Sequence, residues 1–230
     1  YNKLKERENN RESAKKKESQ IPFLMVGHNR RFSEPIRIIQ DFFHDRTKPL
    51  MINYRVNAGP LPQDHWFLDQ IHGGRVIGEG GHFIDVMQFI TGAQPEKVTA
   101  ECIRGDSKEI INRDNVTLII QFNDGSVGML NYNCTGAPNF PKEYMEVFGE
   151  ERVAIMDNFK QVKLNYGRKT KSHKFSGDKG HSDEIRSVVE ALQTGKLSPI
   201  SFETLYQTSW VTLAAISAIE TGVPQIWNNE

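Results

Sequence analysis

In the segment Gly73–Gly92, GGRVIGEGGHFIDVMQFITG, an acid, an imidazole and a second acid recur at every third position, as Glu79, His82 and Asp85. With a helix from about Val76, this spacing keeps all three within roughly a 120° sector of one face. An imidazole with an ordinary pKa of about 6.5 exchanges protons at neutral pH, and a neighbouring carboxylate orients it and favours its charged form. The chemistry on offer is removal of a proton from a substrate hydroxyl, with His82 as acid/base and Glu79 as its companion. The same ExxHxxD run is also the polar face of an ordinary helix, and the residues alone leave both readings open.

Gly78, Gly80 and Gly81 crowd the front of this stretch, where each interior glycine costs about 1 kcal/mol relative to alanine. Either a backbone or a ligand approaches closely there, or a glycine-rich loop precedes a tightly packed helix. Glu79 and His82 match an E-x-x-H ligand pair, but a di-iron site needs a second pair and two more glutamates, so no metal is expected. The sequence has no GxSxG turn, and neither Cys102 nor Cys134 has an obvious base nearby, which argues against a nucleophilic mechanism. No G-x-G-x-x-G follows a strand, so no dinucleotide fingerprint is present.

The elements that must position these groups follow from periodicity. The apolar run Ile21–Val26 suits a buried parallel strand and leaves HNRRF at its C-terminal end. From Ser33 as N-cap, with Pro35 close behind, Ile36, Ile38, Ile39, Phe42 and Phe43 describe an amphipathic helix to about Asp45. In a strand over 50–57, Leu50, Ile52, Tyr54 and Val56 share one side, and Met51, Asn53, Arg55 and Asn57 the other. Two hairpins follow, one around Asn123-Asp124-Gly125 and one around Glu150-Glu151, the latter joining strands at 144–149 and 152–157. Strands near 96–103, 161–166 and 169–175 complete the set. Helices return at about 181–194, with an apolar stripe of Ile185, Val188, Val189 and Leu192, and at about 202–221, with Leu205, Trp210, Leu213 and Ile216. Strands in series with helices gathered around them define an α+β class, with a largely antiparallel open sheet.

Lys plus Arg equals Asp plus Glu at 29 each. The chain as a whole therefore lacks a net field for nucleic acid or an anionic membrane, and neither partner is expected. Residues 1–20 are polar and of mixed charge, a solvated helix or a disordered tail. The two cysteines stand far apart without zinc-like neighbours, which suits free thiols in a reducing compartment. With no bilayer-length apolar run and no secretory leader, the expected location is the cytoplasm.

Three segments, VGHNRRFS at 26–33, RVNAGPLPQDHW at 55–66 and GGRVIGEGGHFIDVMQFITG at 73–92, resemble the glucose-fructose oxidoreductase / inositol dehydrogenase (Gfo/Idh/MocA) family. The wording of the last is similar to that of members fused to a zinc-alcohol-dehydrogenase-like domain. The resemblance implies that residues 1–28 are the last helix and strand of a Rossmann domain. Residues 29–230 then form a substrate-binding and dimerisation domain of the dihydrodipicolinate-reductase-like kind, its helices on one face of the sheet. It implies NAD or NADP as cofactor, held mainly by a domain upstream together with a catalytic lysine, so that this chain alone is inactive. His82 matches the family's proton-transfer histidine, while Gly78 stands where many members have an aspartate, and Glu79 lies one position later. Asn29, Arg30 and Gly78 fall where a cofactor is met, and Arg31, Arg55, Asn57, His65, Trp66 and Asp85 where a sugar is met. The substrate class implied is a sugar, nucleotide sugar or cyclitol, with a homo-oligomer formed through the open sheet face. Two other readings stay open: a non-catalytic sugar-binding or dimerisation module, and an NAD-dependent glycosidase.

Overall fold

A computed structural model describes residues 23–62, 65, 74–103 and 114–227. Among these residues four α-helices, α1 (Glu34–Phe42), α2 (Gly74–Thr91), α3 (His181–Gln193) and α4 (Phe202–Thr221), accompany nine strands. The strands are β1 (Met51–Asn57), β2 (Pro95–Cys102), β3 (Val116–Phe122), β4 (Val127–Asn133), β5 (Glu143–Gly149), β6 (Arg152–Asp157), β7 (Gln161–Tyr166), β8 (Lys169–Lys174) and β9 (Gln225–Ile226). They form one sheet in the order β8-β7-β6-β5-β1-β4-β3-β2-β9. Every pair is antiparallel except β1 with β4, where Met51 faces Val127 and Asn57 faces Asn133. The expected α+β class and open sheet are those observed.

Alternation decides which face is covered. Ile52, Tyr54 and Val56 of β1, Leu118 and Ile120 of β3, and Met145 and Val147 of β5 are all buried in one core with Ile36, Ile39, Phe83, Met87 and Val211 from the helices. Each such side chain removed from water is worth about 1.5–3 kcal/mol, enough to fix the register of every strand it belongs to. The opposite face carries Met51, Ile119 and Phe148, which remain exposed. Local chemistry sets the ends of the helices. Ser201 caps α4 by accepting the amide of Thr204, and Gly222 closes that helix at φ 69°.

Three expectations need correction. The segment Phe23–His28 is irregular chain with Phe23, Leu24 and Val26 exposed, and no strand forms there, because none of its residues pairs with the sheet. Helix α2 begins at Gly74, so the glycine-rich front is itself helical. The stripe of α3 faces outward, with Ile185, Val189 and Leu192 exposed and Glu184 and Ala191 buried in their stead. Leu213 of α4 is likewise exposed. Among the described residues no helix is long and apolar enough to cross a membrane.

Candidate functional site

The polar cluster forms where a 3-10 turn, Asn29–Phe32, meets α2, the start of β5 and the start of α3. The Ser33 hydroxyl and amide both donate to the Arg30 carbonyl, at 2.7 and 3.0 Å, and tighten that turn. Gly180, at φ 87°, seats α3 on it. A Cβ there would lie 2.5 Å from the Ser33 nitrogen and 2.6 Å from the Asn29 oxygen, so only glycine allows the approach. The Asn29 amide donates to the Lys179 carbonyl at 2.8 Å, which brings the Lys179 side chain over the sheet.

At the centre lies Glu143, fully buried at the start of β5. Arg30 forks onto it, Nε to Oε2 at 2.9 Å and Nη2 to Oε1 at 3.0 Å. Lys179 Nζ donates to Oε1 at 2.6 Å, and the Tyr54 hydroxyl to Oε2 at 2.8 Å. Burial alone would raise the carboxyl's pKa, but the Arg30 and Lys179 charges and hydrogen bonds win and hold it at about 2. The Arg30 guanidinium also lies over the Phe83 ring, 4.7 Å from its centroid.

A second carboxylate, Glu79, lies on α2 with the side chain 22% exposed. It accepts a hydrogen bond from the Tyr132 hydroxyl. Lys142 Nζ is 3.5 Å from its Oε1, and Arg75 Nη2 is 3.8 Å from its Oε2. Burial would raise this carboxyl, yet Tyr132, Lys142 and Arg75 outweigh it and keep it below the usual carboxylate range. Burial followed by Glu79 pushes the Tyr132 phenol well up.

One turn further along α2, His82 meets His28 edge to face, ring centroids 5.6 Å apart. The Nδ1 atoms of both rings are buried without a hydrogen-bond partner among the described residues. Burial, then the Arg30 charge and the His28 ring, push His82 down to about 4, against the opposite pull of Glu79 and Glu143. His82 is therefore neutral at physiological pH, beside a charged carboxylate one turn away. Such a constellation can accept a proton from a bound hydroxyl. Among the described residues no group of three His, Cys, Asp or Glu is arranged to hold a metal ion.

The other expected groups divide. Arg31 and Asp85 bind each other, Nε to Oδ2 at 2.8 Å and Nη2 to Oδ1 at 2.5 Å, with the Asp85 side chain fully buried. This pair fastens the turn to α2. Arg30 and Asn29 are spent on Glu143 and Lys179. Gly78 is exposed on α2. Arg55 follows Tyr54 on β1 and so takes the other face, where it pairs in register with Asn131 and Tyr144 and donates to the Pro141 carbonyl at 2.6 Å over the Phe140 ring, away from His82. Asn57, at the end of β1, donates to the carbonyls of Ala137 and Phe140. The structure thus does not bring Arg55 or Asn57 to His82, since strand alternation sends them to the other side. His65 is partly buried after the 55–62 segment, and Trp66 lies outside the described residues.

Glu143, Tyr54, Tyr132, Lys142, Lys179 and His28 were not foreseen as site residues. For the first three the signal was available in register: Glu143 is in phase with Met145 and Val147, as the tyrosines are with the apolar residues of β1 and β4. A polar group at an inward position needs partners, and partners mark a site.

The mixed open sheet with its helices on one face recurs in solved structures of dehydrogenases and oxidoreductases. A probable dehydrogenase from Thermotoga maritima shares it with TM-score 0.69 and 20% identity, over 89% of this chain and 65% of that one. An Agrobacterium radiobacter oxidoreductase, solved with NAD+, L-tartaric acid and magnesium, does so with TM-score 0.72 and 15% identity, over 97% and 68%. UDP-N-acetylglucosamine 3-dehydrogenase from Acidithiobacillus ferrooxidans gives TM-score 0.70 and 20% identity, over 86% and 62%. Residues 47–155 match the sequence model of the GFO/IDH/MocA C-terminal domain. No curated protein matches the sequence. The chain thus spans 62% to 68% of the length of these three solved relatives.

Proposed function

We propose that this chain is the substrate-binding part of an NAD(P)-dependent oxidoreductase acting on a hydroxyl of a sugar, nucleotide sugar or cyclitol. The observation that carries the reading is His82, neutral and partly exposed, one turn from the partly exposed Glu79 carboxylate. In this role His82 takes the hydroxyl proton, and Glu79, held by Tyr132 and Lys142, stabilises the imidazolium that results. The dinucleotide supplies the hydride acceptor. Asn29 and Arg30 do not fit as its direct ligands, because both are buried and committed to protein partners. Its seat therefore belongs to a domain outside this sequence, and this chain alone is inactive. Cytoplasmic residence is part of the proposal.

The test is to express the chain with its upstream domain and follow dinucleotide reduction over a panel of sugars and cyclitols. Turnover is expected with at least one, and His82→Ala should lower it by 10²-fold or more, on the order of a general base's contribution. Unchanged turnover in that variant would remove His82 from the reaction.

The uncovered sheet face supports a homo-oligomer. Met51 and Phe148 are register partners there, and Ile119 is exposed on the same face. Exposed apolar groups collected on one face are what a second copy would cover. Light scattering on the M51K/F148K double variant should show a smaller mass than the parent chain, and an equal mass would discard this interface.

A further inference from the structure

His28 stands at the end of the irregular 23–28 segment and is 7% exposed. Its place depends on the residue just before His82: a Cβ at Gly81 would come within 3.2 Å of His28 Cε1. Glycine at 81 therefore lets the second ring close edge-on against the first, at 84° between planes. Each ring keeps a buried Nδ1 that no group among the described residues satisfies. Two imidazoles at such a distance repel when both are charged, so their protonations are not independent.

We propose that His28 is a positioning residue for His82: it fixes the plane of the His82 ring, and a proton on either imidazole holds off the second. The pair surrounds itself with charges of both signs. Arg30 and Arg31 face it from the 3-10 turn, Glu79 and Asp85 from α2, and Glu143 from β5. Glu184 of α3 lies beside Gly27, while α4 contributes the uncharged Thr208 next to Gly81 and Thr212 next to Gly80. Burial lowers His28 as well, with Asp85 opposing and the two arginines assisting. A neutral His82 is the form that takes a proton from a hydroxyl. That consequence rests on the dehydrogenase reading, whereas the coupling of the rings does not.

The experiment is an imidazole 15N NMR titration of this chain and of His28→Phe. Phenylalanine keeps the ring volume and the contact with Gly81 and removes only the nitrogens. In the parent chain His82 should respond to both protonation steps. In H28F a single step is expected, its midpoint raised by about half a pH unit even at water-like screening, with an altered tautomer ratio. An unchanged midpoint and tautomer ratio would overturn the proposal. Should the amide spectrum show H28F to be unfolded, His28→Gln is read by the same criteria. With the upstream domain attached, the acidic limb of kcat/KM should move up in pH by the same amount as the NMR midpoint. Coupled rings without turnover on any sugar would defeat the dehydrogenase reading and leave the pair intact. His82-dependent turnover with uncoupled rings would do the reverse.

Discussion

Glu143 and Glu79 are built from the same parts and differ in one respect. Each carboxylate meets a tyrosine, an arginine and a lysine: Tyr54, Arg30 and Lys179 in one case, Tyr132, Arg75 and Lys142 in the other. Both tyrosines also pack on Phe83, with centroids at 5.3 and 5.9 Å. Glu143 is sealed, and its hydrogen bonds are short and saturated. Glu79 is reached by solvent, and its two cations stand off at 3.5 and 3.8 Å. The same chemistry thus serves as a fastener where water is excluded and as an adjustable charge where water enters.

The largest test of this contrast is Glu143→Gln. It leaves the Arg30 charge buried and poorly matched, and should cost about 3–5 kcal/mol in urea unfolding. Glu79→Gln should cost less, about 1 kcal/mol, as water reaches Glu79 and Lys142 and the amide oxygen can still accept from Tyr132, while impairing turnover of the complete enzyme. Equal losses of stability in the two variants would erase the distinction.

Acid sharpens it next. The folded Glu143 carboxyl sits at about 2, below its ordinary 4.5. Its stabilisation is therefore complete above pH 4.5 and lost as pH falls toward 2. His82, at about 4 against an ordinary 6.5, is neutral in the fold over a range where the unfolded chain binds a proton. Stability should thus fall between pH 6.5 and 4, and His82→Phe should flatten that part of the curve and leave the more acidic part, which belongs to Glu143. Melting temperatures across both windows check the assignment.

The smallest effect is expected on the other sheet face. Arg55→Ala loses a stacked, partly exposed guanidinium worth about 0.5–1 kcal/mol and should leave the His82 titration where it was. A shift of that titration would mean that the two faces communicate.

Much of the scaffold was legible because it obeys short-range rules. Asn123-Asp124-Gly125 supplies its own turn, and Ser201 and Gly222 mark the ends of α4. Pattern alone failed where an element's environment decides. Ile21–Val26 looks like a strand, but a strand needs a neighbour, and residues 23–26 pair with none. Ile185, Val189 and Leu192 look like a core stripe, yet α3 is anchored by Gly180 and buries Glu184. His82 and Glu79 were visible through their spacing. Their setting was not, because Glu143, Lys179 and His28 arrive from distant parts of the chain through contacts that no local window contains.

The lone parallel pairing of β1 governs how the chain can assemble. Met51 finds Val127 on one side and Phe148 on the other, so the middle strand of the sheet has no sequence neighbour with which to nucleate. The hairpins β3–β4 and β5–β6 close within a few residues and can form early, whereas β1 must wait for both to be delivered to its flanks. During synthesis β1 therefore leaves the ribosome well before its partners. Its inward row of Ile52, Tyr54 and Val56 is the surface that chaperones would shield in that interval.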